Sequence, residues 1–209
     1  MEQTPSRKTD RRTLYTQTVI KEALLELLHE MSFDKVSIAS LCRQAEITRP
    51  TFYLHYDNLM QVLDSLIDDA LGNPPGLISL DTIKKNRAML SDLSNLRGMD
   101  KKLSLSPCQR GASDPKYSVI FADPPLYDYI VERIYRERIE NEGALFAEDL
   151  GLPQKLAEKL LYFLIHGSFS MNRSFQWKKD KDWYKAHRMV LTFLIGGFEA
   201  IKKDAELNQ

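Results

Sequence analysis

The 209-residue chain is poor in cysteine, with Cys42 and Cys108 its two members. Two thiols cannot build a disulfide framework or a Cys-rich zinc site. It has no surplus charge, because 29 basic side chains meet 29 acidic ones. A chain that coats nucleic acid without regard to sequence would be far more basic. Nowhere do about 18 apolar residues run together, so a spanning helix and a membrane partner are not expected. The longest apolar stretch, around Leu160 to Met171, is broken by His166. The polar, basic start lacks the apolar core of a signal peptide, and a cytoplasmic home is the expectation. His29, His55, His166 and His187 are scattered. With no nucleophile elbow, no Gly-rich phosphate loop and no histidine pair at metal spacing, the sequence predicts no enzyme, no cofactor and no metal site.

What is present is helical periodicity. The 43% apolar fraction suffices for a core. Residues 1–12 read as a mobile basic arm carrying Arg7, Lys8, Arg11 and Arg12. From Arg12 to Met31, the apolar positions Ile20, Ala23, Leu24, Leu27, Leu28 and Met31 lie on one helical face. Ser37 then caps a short helix with Ile38, Leu41, Cys42 and Ala45 inward. Thr48 caps a second short helix from about Arg49 to Leu54, with Pro50 early, where a missing N–H costs little. A longer helix from about Asn58 carries Leu59, Val62, Leu63, Leu66, Ile67, Ala70 and Leu71. Gly72, Pro74, Pro75 and Gly76 end this pattern and divide the chain into 1–71 and 72–209. Beyond them the periodicity predicts helices over 80–96, from Pro124 behind an Asp123 cap to about Asn141, from Pro153 to about Phe175 and buried all round, and from about Asp182 to Lys203. Residues 97–118 read as a loop with at most one helical turn. No strand-like alternation competes, and the expected fold is all-α.

Two short helices across a tight turn at 37–56 form a helix-turn-helix arrangement. The exposed start of the first can meet a phosphate. Arg49 at the start of the second has the fork geometry for a guanine edge. Thr51 suits a thymine methyl or a phosphate, and Tyr53 and His55 carry polar tips that reach backbone oxygens. Either aromatic has a competing role in bracing the turn against the following helix. Residues 1–56 carry eight Lys/Arg against seven Asp/Glu, so distribution rather than sum must supply attraction.

Thr51, Phe52, Tyr53, His55 and Tyr56, preceded by Ser32, Phe33 and a Ser37-led helix, resemble the TetR/AcrR family of transcriptional regulators over about residues 13–71. The resemblance implies an N-terminal three-helix DNA-binding domain and a C-terminal helical domain for dimerisation and ligand. It implies a homodimer on a palindromic operator in double-stranded DNA, a repressor released by a small-molecule effector. An activator or co-regulator working through a protein partner is the alternative. Ser37, Arg43, Thr48, Arg49, Pro50, Thr51, Tyr53 and His55 fall on its DNA-contact positions. Two departures stand out. Glu46 occupies a turn position where the family commonly has Gly, so the backbone must accept an unusual angle. Leu59 follows Asn58 where a phosphate-contacting Lys is common.

In the second half, Tyr127, Tyr162, His166, Phe169 and Trp177 are candidate effector contacts, against the plainer reading of aromatic core. Gly196 and Gly197 interrupt the last helix, each at about 1 kcal/mol relative to Ala. Close approach of a partner helix is a sufficient reason. Phe193, Leu194, Gly197, Phe198 and Ile201 therefore form a candidate dimer interface, against tight packing within one subunit. Cys108, beside Arg110, has a redox reading, while Cys42 reads as core.

Overall fold

The computed structural model describes residues 11–72, 79–94 and 96–207, all of whose regular elements are helical. The basic arm at Arg7 and Lys8, and Pro74, Pro75 and Gly76 at the division between halves, lie outside the described residues.

Helix α1 (Arg11–Glu30) buries the stripe the spacing predicts, Ile20, Ala23, Leu24, Leu27 and Leu28. Ser32 turns extended, a 3-10 turn covers Phe33–Lys35, and Val36 plugs the core behind it. Helices α2 (Ile38–Gln44) and α3 (Arg49–Tyr53) follow. Helix α4 (Leu59–Leu71) packs against α1 and buries Val62, Leu63, Leu66, Ile67 and Ala70. The Asn58 side chain accepts from Gln61 N–H to open α4, and Gly72 at φ +62° closes it. Leu24, Leu41, Phe52 and Leu63 are wholly inaccessible and form the centre of this small bundle.

Four boundaries in the second half differ from the periodicity. Helix α5 (Leu80–Met89) stops well before Leu96. Ser94 N–H donates to Asp92 Oδ1 at 2.8 Å, and this local turn competes with the helix although Leu90, Leu93 and Leu96 still face inward. The expected loop at 97–118 contains two short helices, α6 (Met99–Lys102) and α7 (Pro107–Gly111). Ser106 and Gln109 form a capping box around α7, with Pro107 at its start. Helix α8 (Ser118–Ala122) comes next. Asp123 does not cap a helix: its Oδ2 accepts from Phe33 N–H at 2.7 Å and ties the C-terminal half to the turn after α1. A 3-10 turn at Pro124–Leu126 leads into α9 (Tyr127–Leu150), which continues through Gly143 because Phe146, Ala147 and Leu150 prolong its inward stripe.

Gly151, at φ +65°, reverses the chain so that α10 (Gln154–Ser174) packs along α9. Helix α11 (Lys181–Leu207) covers α5 and part of α9. Between α10 and α11, Gln176 and Trp177 take positive φ (+52° and +61°), which costs non-glycine residues energy. Trp177 offsets it by docking edge-on against Phe121 and Phe169 and donating its indole N–H to Phe121 O at 3.2 Å. The indole of buried Trp183 donates to Asn172 Oδ1 at 2.8 Å, and Gln109 donates to the same oxygen, so α7, α10 and α11 share one polar joint.

Helix α10 is not buried all round. Leu156, Tyr162 and Phe163 are exposed, as are Met189 and Phe193 on α11.

Candidate nucleic-acid interface

The α2–turn–α3 unit is built by capping. Ser37 Oγ accepts from Ser40 N–H at 3.0 Å, and Ser40 Oγ in turn accepts from Ser37 N–H, so the exposed start of α2 is held by its own serines. After Gln44, Ala45 N–H donates to Leu41 O and Ile47 N–H to Cys42 O, both at 2.9 Å. That closure requires a left-handed residue between them, and Glu46 supplies it at φ +52°. The unusual angle foreseen at this position is therefore real. Thr48 Oγ1 accepts from Thr51 N–H at 3.3 Å and opens α3, with Pro50 in its first turn.

Helix α3 has one inward residue. Phe52 is 0% exposed and meets Tyr53 edge-on at 5.4 Å and Tyr56 at 6.2 Å. Anchored there, α3 presents Arg49, Pro50 and Tyr53 outward, with Tyr53 54% exposed. Thr48 and Arg43 are exposed beside them, and Thr51 and His55 are half-buried. The eight sequence-selected residues thus fall on one contiguous unit, although Ser37 and Thr48 use their hydroxyls in caps. Tyr56, not Tyr53, is the aromatic turned into the bundle.

Contacts on α4, the helix that follows this unit, couple it to the second half. Arg133 on α9 donates to Asp64 at 3.0 Å and to Asp68 at 2.5 Å, both on α4. Tyr129 OH donates to the same Asp64 carboxylate, and burial beside that carboxylate raises the Tyr129 pKa. Arg110 on α7 donates to Leu71 O at 3.4 Å, at the end of α4. One residue on, a Cβ added at Gly111 would lie 2.8 Å from Ala70 O, so α7 and α4 meet backbone to backbone. None of these cross-links is visible from spacing, because each joins residues about 40 or more apart in sequence.

The five candidate effector residues do not share one site. Tyr127, Phe169 and Trp177 belong to an aromatic cluster, in which Arg173 lies 4.5 Å over the Tyr127 ring. Tyr162 stacks on His166 at 3.9 Å and meets Tyr135 edge-on, on the outer side of α9 and α10. Trp177 also borders an open polar groove. An apolar cavity of about 150 Å³ lies elsewhere, between α5, α7, α9, α10 and α11, and none of the five lines it. The plainer reading of these aromatics as packing residues agrees with their contacts. The cavity's polar residues have no joint signature in the sequence; Arg138 with Glu142 four residues on, both buried, is the local signal that points there.

Cys108 faces this cavity, buried, with Sγ 3.0 Å from Ser106 Oγ. Burial pushes its thiol pKa up, against the lowering pull of Ser106 and Arg138, so the expected thiolate chemistry is disfavoured. Arg110 instead serves the backbone carbonyls of Leu105 and Leu71.

On α11, Leu194 lines the cavity and Phe198 meets Phe146 edge-on inside the protomer. Ile201 is half-buried against the core. Of the candidate interface, Phe193 and Gly197 point outward, with Met189 and Gly196 on the same stripe. A Cβ added at Gly196 or Gly197 would meet nothing within 4 Å. Tight packing within one subunit therefore does not explain these glycines.

No helix among the described residues is long and apolar enough to cross a membrane. No protein-family model matches the chain. Over an alignment of 106 positions that covers 46% of this chain, it is 29% identical to the uncharacterized HTH-type (helix-turn-helix) transcriptional regulator YxbF of Bacillus subtilis strain 168. The match covers 28% of that protein's length, so the chain spans less than a third of this relative. The all-α architecture and the α2–turn–α3 geometry agree with that similarity to a helix-turn-helix regulator.

Proposed function

We propose that the chain is a sequence-specific transcriptional regulator of the TetR/AcrR type. In this reading it acts as a cytoplasmic homodimer on a palindromic operator in double-stranded DNA, and a small-molecule effector releases it. The observation that carries the reading is the α3 arrangement: Phe52 fully buried beneath, and Arg49, Pro50 and Tyr53 outward from a capped five-residue helix. Such a helix can enter a major groove, about 12 Å wide, with most of its outward side chains facing bases or flanking phosphates. Arg49 reads a base edge. Arg43, Thr48, Thr51, Tyr53, His55 and the start of α2 at Ser37 hold phosphates and set register.

Exposed apolar side chains on α10 and α11 support the dimer reading. Leu156, Tyr162 and Phe163 are exposed on one helix and Met189 and Phe193 on the other. Exposed Gly196 and Gly197 allow a partner helix close approach. A two-fold pair through this face would place two α3 helices for successive half-sites. The effector acts by selecting one spacing of those helices, transmitted through Arg110, Gly111 and Arg133 onto α4.

The test is selection from a random duplex library with the full chain at about 150 mM salt, where nonspecific phosphate binding is suppressed. An enriched two-fold palindrome is the expected result. A folded dimer that enriches no sequence overturns the proposal.

A further inference from the structure

One polar group lining the cavity of about 150 Å³ has no protein partner among the described residues, and a second, a buried cation, is bonded on one side. His187 is 9% exposed, lies parallel to the Trp183 ring at 4.7 Å, and its Nδ1 has no hydrogen-bond partner among the described residues. Its pKa is lowered to about 4 by burial and then by Lys179, so the ring is neutral near pH 7 and can carry its proton on Nδ1. Buried Arg138 has one side-chain hydrogen bond among the described residues, to Glu142 one turn along α9. The other N–H groups of its guanidinium have no described acceptor. The two amide side chains of the lining are already engaged. Asn86 exchanges two hydrogen bonds with the Ser104 backbone, and Gln109 binds Ser106 and Asn172.

The local charge is unbalanced. Arg110 lies close enough to Arg138 for the two cations to repel, while Glu142 is the carboxylate paired with Arg138. With Lys179 also acting on His187, positive charge outweighs negative near the cavity's polar end, so an anion is favoured there and a cation is repelled. The rest of the wall is apolar, including Leu164, Ile165 and Leu191. An apolar cavity of roughly this volume accommodates a benzene-sized group.

We propose that this cavity binds a compact monocarboxylate, its carboxylate held by Arg138 and His187 Nδ1 and its ring or branched chain seated on Leu164, Ile165 and Leu191. The assignment rests on the effector reading above and names the effector's chemical class. Cys108 and Gln109 line the cavity, and the next two residues, Arg110 and Gly111, hold the end of α4. Occupancy therefore bears directly on the helix that supports α3.

The experiment pairs four acids with their primary amides, of nearly equal shape, against the full chain: benzoate, phenylacetate, cyclohexanecarboxylate and 4-methylpentanoate. Thermal shift and calorimetry are read without DNA. At least one acid should raise Tm and bind about tenfold tighter than its amide, as expected for charge-assisted bonds. His187→Phe keeps a ring against Trp183 and should weaken that acid about tenfold. Arg138→Met with Glu142→Met removes both buried charges together, so a folded protein is retained, and should erase the preference for acid over amide. Equal binding of acids and amides, or no binding of any acid, overturns the proposal, as does an acid preference that survives the double substitution in a protein of unchanged helical content. Operator binding is measured in a separate arm. Its absence counts against the proposed function and leaves the ligand result standing.

Discussion

Replacing Glu46 with Gly should stabilise the protein. Glu46 closes the turn between α2 and α3 at φ +52°, where an L-residue with a Cβ is disfavoured by roughly 1–2 kcal/mol. Glycine removes that cost but has more backbone freedom to lose on folding, about 0.5–1 kcal/mol. The Glu46 side chain is exposed and has no hydrogen bond or ion pair within the protomer among the described residues, so little else is lost. The net expectation is a gain of about 0.5–1 kcal/mol, or a Tm rise of a few degrees at this chain length. Urea denaturation followed by circular dichroism measures it, at fixed protein concentration because a dimer's stability depends on concentration. Glu46→Ala is the control, since it removes the same charge and keeps the Cβ. Gly must exceed Ala by most of the expected gain. If both variants change stability equally, the backbone argument fails and the charge was responsible. A destabilised Gly variant would mean that the turn is held by something other than its closing hydrogen bonds.

Gly111→Ala should lower stability by about 1–3 kcal/mol, because the new methyl would sit 2.8 Å from Ala70 O and 3.2 Å from Phe121; an unchanged denaturation midpoint would refute the close approach of α7 and α4. The depressed His187 pKa makes stability fall as pH drops: the unfolded chain takes up this proton near 6.5 and the folded chain only at about 4, so the loss begins below pH 6.5, runs at up to about 1.4 kcal/mol per pH unit, and is absent above it. His187→Phe should decline less steeply than the native chain between pH 6.5 and 4, and parallel curves would sink the claim. Phe193→Glu should halve the mass read by light scattering while leaving helical content unchanged, since Phe193 is 69% exposed in the protomer; a persistent dimer would move the interface elsewhere. Arg49→Ala should cost about 1–3 kcal/mol of operator affinity and relax preference at one base, measured by titration of the selected palindrome.

The N-terminal unit was legible from local signals. Ser37 and Thr48 are side-chain caps where the sequence placed caps, Asn58 opens the helix expected to start there, and Ile20 to Leu28 bury the face their spacing defines. Capping and amphipathic periodicity act within four residues, so a single chain displays them. The second half yielded less. Residues 97–118 looked loop-like because their helices are too short to show a period, although the Ser106 and Gln109 capping box was there to be read. Helix α9 passed through Gly143, and Asp123 left its expected capping role for the Phe33 amide, because tertiary contacts outweighed local preference.

Sequence alone therefore determined an all-helical chain and the α2–turn–α3 unit, while the outward placement of Tyr53 came from the structure. Tertiary structure alone decided three things: that Phe198 and Leu194 face inward while Phe193 faces out, that Tyr127, Phe169 and Trp177 cluster apart from Tyr162 and His166, and that Arg138 and His187 line one cavity. Those two residues are 49 apart in the numbering, on α9 and α11, and no periodicity within either helix specifies which faces will enclose the same space.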